Sequence, residues 1–424
     1  MSLKTFFKIA LQAMRANLVR TGLTGLGIVI GIASVIIVFS AGEGIRGLIL
    51  SQIESFGTDI IEIEVKVPTG KKTTSNTDSS GAMAQAQGVQ VTTLKLDDLE
   101  EIKKLANVKD VYAGVTSQEQ VASGSELRKA YLLGTNASYI DIDKSEVKTG
   151  RFFTEEEDRS LAQVVVLGSK MKDKLFGDSE AVGQSIKIRQ KKFRVVGVME
   201  ERGAVMMMDF DDFVYVPIRT LQKRLMGIDN VLYAVSQIED LSRAEETADE
   251  IRIILRERHD IVPSAPGDLG KDDFRVVTMA EMMETLDTIT NALTILLLAI
   301  VAISLIVGGV GVMNIMYVVV SERTAEIGLR KAVGAKYFDI MMQFLTESIL
   351  VTCAGGVAGI LIGLLISFLI SLGAKNFGYD WDFSVPISAY VVALFFSVLF
   401  GVAFGLYPAR RAAKLDPITA LRNE

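Results

Sequence analysis

Cysteine, histidine and tryptophan each occur once in this 424-residue chain. A lone cysteine, Cys353, excludes an internal disulfide and leaves the redox character of the surroundings open. With His259 as the only imidazole, zinc or copper chemistry built on His/Cys clusters is excluded too. His259 stands between Arg258 and Asp260 and reads as a solvated surface residue rather than a catalytic base. The acidic pairs Asp211/Asp212 and Asp272/Asp273 read as solvated loops. No Gly-x-Ser-x-Gly elbow or His-Glu-x-x-His pattern is present. Gly70-Lys71-Lys72-Thr73 ends like a phosphate loop, but position 66 is Lys66 where that loop needs glycine. A net charge of −6 gives no reason to expect a nucleic-acid partner.

Charge is also missing locally. Thr21–Gly42, Thr288–Val320, Ser348–Ala374 and Phe383–Ala409 hold no Asp, Glu, Lys or Arg. Each run exceeds the roughly 20 residues that cross a bilayer core, so four transmembrane helices are expected. None carries an acid or base that would mark an ion path; Asn314 and Cys353 are the most polar residues of note. Energy for any transport must therefore enter from elsewhere.

Orientation follows from the basic residues that flank the spans. Lys4, Lys8, Arg15 and Arg20 precede the first span. Arg323, Arg330, Lys331 and Lys336 fall between the second and third, and Arg410, Arg411, Lys414 and Arg422 follow the fourth. The turn between spans three and four has only Lys375, beside Asp380 and Asp382. Both termini are thus expected in the cytoplasm, in a multi-pass protein of the cell inner or plasma membrane. The resulting division is an interfacial amphipathic helix (1–20), spans at 21–45, 285–320, 348–372 and 387–408, and an extracytoplasmic core domain (46–284). A cytoplasmic segment (321–347), a short outer loop (373–386) and a cytoplasmic tail (409–424) complete it. The fold class is an α+β membrane protein.

Within the core domain, Ile61, Ile63, Val65 and Val67 alternate with charges as in a half-buried strand. Pro68–Gln90 has little to bury and reads as a mobile loop. Short strands punctuated by glycines mark a β-rich lobe at about 125–200, with a hairpin tip at Gln190-Lys191-Lys192. This lobe is inserted into a membrane-proximal α/β lobe built from both ends of the segment. The connection from Met279 to Asp287 has no proline or glycine, so the second span is expected to extend outward as one helix.

Three groups of residues are candidates for function. Ser321-Glu-Arg-Thr-Ala-Glu-Ile-Gly-Leu-Arg-Lys-Ala-Val-Gly-Ala335 has helical spacing, with Ser321 as N-cap and Glu322 near the positive end. Glu326 and Arg330 stand at i,i+4, and Ile327 with Ala325 offers a small apolar patch to a soluble partner. Gly27 and Gly31, and Gly355, Gly359 and Gly363, recur at a spacing suited to close helix packing. Met206-Met207-Met208 suggests an adaptable contact surface for cargo or a partner.

The Ser321–Ala335 stretch also resembles the cytoplasmic signature of MacB/FtsX-like ABC-transporter permeases. Arg20-Thr-Gly-Leu-Thr-Gly-Leu-Gly-Ile-Val-Ile-Gly31 is similar to that family's first span. Val164–Gly168, Leu175–Gly177, Gly183–Ile186 and Phe193–Val198 resemble its outer domain, and Tyr407–Leu421 its terminal segment. The resemblance implies a non-catalytic permease subunit that works as a homodimer. Two copies of a separate ABC ATPase would bind ATP and Mg, with no cofactor in this chain. Ser321, Glu322, Arg323, Glu326, Ile327, Arg330 and Lys331 would form the coupling helix that receives the ATPase. Membrane lipid and a membrane-fusion adaptor are further expected partners. The function implied is mechanical export or release of a peptide, drug or lipoprotein, an efflux role. The alternative is a non-transporting transmembrane signal relay that activates cell-wall hydrolases or regulates an envelope process.

Overall fold

The computed structural model describes residues 18–54, 57–68, 91–205, 208–265, 267–376 and 381–422. The interfacial helix expected at 1–20 and the loop Pro68–Gln90 lie almost wholly outside these residues. In chain order the helices that frame the structure are α1 (Leu18–Glu54), α2 (Leu96–Ile102), α3 (Ser169–Phe176), α4 (Ala244–Arg258), α5 (Met279–Glu322), α6 (Thr324–Ala332), α7 (Tyr337–Asn376), α8 (Ile387–Lys414) and α9 (Pro417–Arg422). Two compact units result: the residues up to Ile49 together with those from Leu286 onward, and Leu50–Thr285.

The first unit is a helix bundle. Helices α1, α5, α7 and α8 are each long and apolar enough to cross a membrane. With 44 residues, α5 runs for about 66 Å at ~1.5 Å per residue, roughly twice a hydrocarbon core. Backbones meet where glycine removes the side chain. A Cβ on Gly27 of α1 would lie 2.5 Å from the Gly308 Cα of α5, and one on Gly31 would strike Leu305. The seam between α1 and α7 is longer. Added Cβ atoms at Gly355, Gly359 and Gly363 would stand 3.3, 2.7 and 2.9 Å from the carbonyl oxygens of Gly25, Val29 and Ala33. Gly401 and Gly405 of α8 face Thr352 and Ser348 of α7, and Gly309 of α5 faces Phe404 of α8. Each of the four helices therefore touches two others, in the cyclic order α1, α5, α8, α7.

Hydroxyls close the seams further. Ser348 Oγ donates to the Gly401 carbonyl at 3.0 Å. Ser40 and Ser371 donate to the carbonyls of Ser384 and Trp381 in the α7–α8 connection, at 3.0 and 2.9 Å. Where α1 and α5 leave the apolar run, Arg46 Nε meets Asp287 Oδ1 at 2.8 Å.

Among the described residues the second unit is a mixed α/β domain built on a ten-stranded sheet and a separate two-stranded one. Its strands are β1 (Ile60–Val65), β2 (Val108–Ser123), β3 (Glu126–Thr135), β4 (Val147–Gly150), β5 (Val164–Leu167), β6 (Ser185–Ile188), β7 (Lys191–Met199), β8 (Ala204–Val205), β9 (Met208–Asp209), β10 (Phe213–Pro217), β11 (Tyr233–Ile238) and β12 (Phe274–Thr278). At one end the order is β12-β1-β11-β2, all antiparallel. Beyond β2 the pairings close on themselves: β2 with β3, β3 with β10, β10 with β5, β5 with β7, β7 with β6, and β6 back to β2. Closure leaves these strands no free edge to pair with another chain. The β-rich stretch expected at about 125–200 supplies β3 to β7, and β2 and β10 from either side complete the ring.

Alternation fills the ring. Val121, Ala130, Leu132, Val165, Leu167, Ile186, Ile188, Phe193, Val195, Val214 and Val216 share one buried cluster with Ile61 and Ile63. Residues of opposite parity join a second, aromatic cluster that holds Tyr112, Tyr139, Phe152, Phe213 and Tyr215. Helices α2 and α4 pack on β2 and β12 respectively and on each other. The β6–β7 tip lies one residue earlier than the lysine-rich sequence suggests. Ile188 pairs with Lys191, and the two loop residues Arg189 and Gln190 have φ of 46° and 66°. A two-residue hairpin loop with both φ values positive matches the strand twist, and that geometry outweighs the polarity of Lys191 and Lys192.

Several charges expected in water are instead buried. His259 Nδ1 lies 2.8 Å from Asp273 Oδ1, and its Nε2 lies 3.5 Å from Asp98. Asp272 accepts both Nε and Nη2 of Arg256, at 2.8 and 2.7 Å. Asp211 accepts the backbone N–H groups of Arg202 and Gly203, each at 2.9 Å. These acids are inside because each is met by a cation or amide from a segment distant in sequence or by a nearby turn, partners that no local pattern reveals. Burial opposes charge on His259, but its hydrogen bonds to Asp273 and Asp98 prevail and raise its pKa from 6.5 to about 9. Burial likewise opposes charge on Asp98, yet hydrogen bonds from His259, Arg258 and the Lys95 amide lower its pKa from 3.8 to about 2.

Two outcomes are expected. Replacing Gly359 with leucine forces α1 and α7 apart and costs about 1–3 kcal/mol, whereas the same change at Gly373, which has no neighbour within 4 Å, is tolerated. Thermal unfolding in detergent compares them, and equal melting temperatures would refute the seam. Second, a raised histidine pKa contributes stability that is complete below about 6.5 and is lost as pH climbs through about 9. The domain transition should therefore fall between pH 7 and 10 by more in the native chain than in H259Q, a difference of at most about 3 kcal/mol. Parallel pH profiles would rule the ion pair out.

Candidate functional site

Helix α5 carries its apolar run up to Val320 and ends at Glu322. Ser321 was expected to cap the next helix but belongs to the last turn of α5, where its Oγ donates to the Val318 carbonyl at 2.8 Å. The cap position is Arg323, with φ −99° and ψ 19°. Thr324 Oγ1 reaches back to the Ser321 carbonyl at 2.8 Å, satisfying an acceptor that the break exposes. Helix α6 then runs for nine residues. It stops in a Schellman turn: Gly334 has φ +104°, its N–H donates to Lys331 O, and the Ala335 N–H donates to Arg330 O, both at 3.0 Å. Gly334 is the residue that makes this stop possible.

The cations of this stretch face inward. Arg323 Nη1 stands 3.3 Å from Oε2 of the buried Glu347 on α7. Arg330 is divided between Gln343 Oε1 of α7 and Glu326 Oε1 of its own helix, each at 2.6 Å. Lys331 Nζ donates to the carbonyls of Ala413 and Leu415, at 2.8 and 2.6 Å. Ile327, expected on the outward patch, is 1% exposed and packs in the bundle core; neighbouring Gly328 is buried as well. The reason is helical phase. Positions 327, 328 and 331 share the face that meets the ends of α7 and α8, so the apolar residue on that face is the anchor.

The outward face is a different set. Ser321, Glu322, Ala325, Glu326, Ala332 and Val333 are exposed. Ala325, Leu329 and Val333 stand at i, i+4 and i+8 and form a stripe along α6, with Leu329 59% and Val333 82% exposed. Phe338, at the start of α7, is exposed as well. The sequence reading passed over Leu329 and Val333. Period alone offers two apolar faces on such a helix, and the bonds of Arg323 and Arg330 to α7 and of Lys331 to the end of α8 select the one turned outward. Glu347, Gln343 and the carbonyls of Ala413 and Leu415 were missed because they lie far along the chain.

The remaining candidates are distributed elsewhere. The five glycines lie in the helix seams. Met206 and Met207 fall outside the described residues; Met208 is on β9, is 58% exposed and pairs in register with Val205. Among the described residues, no group of three or more His, Cys, Asp or Glu side chains is placed to hold a metal ion.

Comparison with known proteins matches the chain in two parts, the first of which takes in most of α1 together with the α/β domain. Residues 21–254 match the model of a MacB-like periplasmic core domain, and residues 298–417 that of an FtsX-like permease C-terminal region. The chain is 38% identical over 414 residues to the macrolide export ATP-binding/permease protein MacB of Bdellovibrio bacteriovorus, covering 97% of this chain and 61% of that protein. It is 34% identical over 417 residues to the pyoverdine export ATP-binding/permease protein PvdT of Pseudomonas syringae pv. tomato, covering 98% and 59%. It thus spans about three fifths of the length of these relatives. A crystal structure of the periplasmic region of MacB from Actinobacillus actinomycetemcomitans superposes with a TM-score of 0.45 at 21% identity, covering 56% of this chain and 97% of that one.

The inward network has a measurable consequence. R323M leaves the Glu347 carboxylate buried without its cation and should cost about 1–3 kcal/mol, while adding E347Q restores most of the loss. Melting curves of the single and double variants test this; an equally unstable double variant would show that Arg323 acts by other contacts.

Proposed function

We propose, because the chain belongs to the MacB/FtsX-like family of ABC-transporter permeases, that it converts ATP hydrolysis by a partner ABC ATPase into export or release of cargo at the far side of the membrane. The chain is the permease component, a non-catalytic part of such a transporter. Helix α6 is the surface on which the ATPase docks, with two copies of each chain in the assembly. ATP and Mg belong to the ATPase. Both termini and α6 are cytoplasmic, and the α/β domain is extracytoplasmic, in keeping with the basic residues that flank the spans. Relatives named for macrolide and pyoverdine export favour a small organic molecule as cargo.

One observation carries this reading. The Ala325–Leu329–Val333 stripe is exposed on a helix whose opposite face is fixed by Ile327, Arg323, Arg330 and Lys331. An exposed apolar stripe on a firmly held helix suits a protein partner. A pull on α6 passes directly into α5 and α7, the helices that flank it in the chain. Because α5 is one unbroken helix, a displacement at its end is carried along its axis rather than absorbed at a joint. No proton or ion relay is needed.

The double variant L329D/V333D should leave the melting temperature near that of the parent, since both side chains already meet water. Its capture of the ATPase and its ATP-driven release of cargo should each fall by about tenfold or more. Undiminished co-purification of the ATPase would overturn the assignment of this face. Capture without any cargo movement, together with stimulation of a cell-wall hydrolase, would replace export by signalling.

A further inference from the structure

Lys331 does not face the docking surface. Its ammonium donates to two carbonyls of another helix, Ala413 O at 2.8 Å and Leu415 O at 2.6 Å. These are the end of α8: Ala413 lies in its last turn, and Leu415 is the C-cap with φ −56° and ψ 132°. The final carbonyls of a helix lack intrahelical partners and carry the negative end of its dipole. Many helices meet this need with a following glycine, but α8 is followed by Leu415-Asp416-Pro417 and has none. Its own cations are placed elsewhere. Arg411 lies over the Tyr317 ring at 4.5 Å, and Lys414 is exposed. The cap is delivered instead from α6, more than eighty residues earlier. Around it, Ala412, Ala413 and Ala420 are buried, Leu415 packs on the bundle core, and α9 lies against α6.

We propose that Lys331 is a positioning residue that fastens α6 to the end of α8. Helix α6 is joined through the chain only to α5 and α7. The Lys331 clasp adds α8 and α9 as a second path by which displacement of α6 enters the bundle. The clasp itself is independent of any partner; its mechanical role rests on the reading of α6 as the docking helix.

Hydrogen exchange on the full chain in nanodiscs, alone and with its co-purified ATPase, tests both parts. In the chain alone, K331M should speed exchange of amides in 413–422 by about tenfold, the loss of charge-assisted hydrogen bonds, and K331R should restore it. With the ATPase bound, ATP should alter exchange in α7 and α8 of the parent. K331M should retain capture of the ATPase and the change in α7 while losing the change in α8. Unaltered exchange in 413–422, or an ATP-dependent change in α8 that survives in K331M, would overturn the clasp. Loss of ATPase capture in K331M but not in L329D/V333D would also overturn it, by placing Lys331 in the partner interface. If K331M does not accumulate, K331Q serves with the same criteria. Failure of the parent chain to capture any ATPase would defeat the functional reading alone, and the exchange result without ATPase would still decide the clasp.

Discussion

Two helices in a bilayer gain nothing from hiding leucine from lipid, since lipid is as apolar as leucine. Close backbone contact is the alternative, and it requires that side chains be absent along the seam. The α1–α7 contact meets this requirement at three successive turns, where Gly355, Gly359 and Gly363 sit against carbonyl oxygens of α1. The rest of the bundle departs from a water-soluble core, since small residues share its interior with large ones such as Ile28, Ile32, Leu305 and Phe344. Glycine, alanine and serine such as Ala389, Ala393, Ser367 and Ser397 are buried, while Ile303, Val307, Leu361 and Phe395 are exposed. Large apolar side chains are thus free to face hydrocarbon, and dispersion between closely approaching backbones holds the helices together.

The α/β domain solves the opposite problem in water. The strands of its ring would each leave edges, and closure from β2 through β3, β10, β5, β7 and β6 removes them. The long β2 strand serves both the ring and the antiparallel end of the sheet, which explains how a β-rich insertion continues the sheet it interrupts. Charges left inside by this packing are matched across the chain, as His259 is by Asp273 and Asp98. Such groups fix the approach of α4 to its neighbours, because separating them would strand a charge in a dry place.

At α6 the two kinds of interaction meet. Ile327 supplies the apolar anchor, and Arg323, Arg330 and Lys331 reach partners on α7 and α8. The cations Arg323, Arg330 and Lys331 are therefore half-buried against the bundle, while the outward face of α6 is formed largely by Ala325, Leu329 and Val333 together with Glu322 and Glu326. Lys331 is the instructive residue, since its charge reads from the sequence as a contact for something outside and is spent on the end of a helix.

Four uncharged runs, their basic flanks and the glycine spacing were legible in the residues because each is a local property: length, composition and period. The alternating strands of the α/β domain were legible for the same reason. The Ser321–Ala335 signature showed where a helix lies between spans two and three. Which side of that helix faces out could not be read there, because the choice is made by Glu347, Gln343 and the terminal carbonyls of α8. Burial of His259, Asp272 and Asp273, closure of the ring at β6 and β2, and capture of Lys331 have one cause in common. Each depends on groups brought together only when distant segments pack, and desolvation then decides which charge must be paired and which side chain is left exposed.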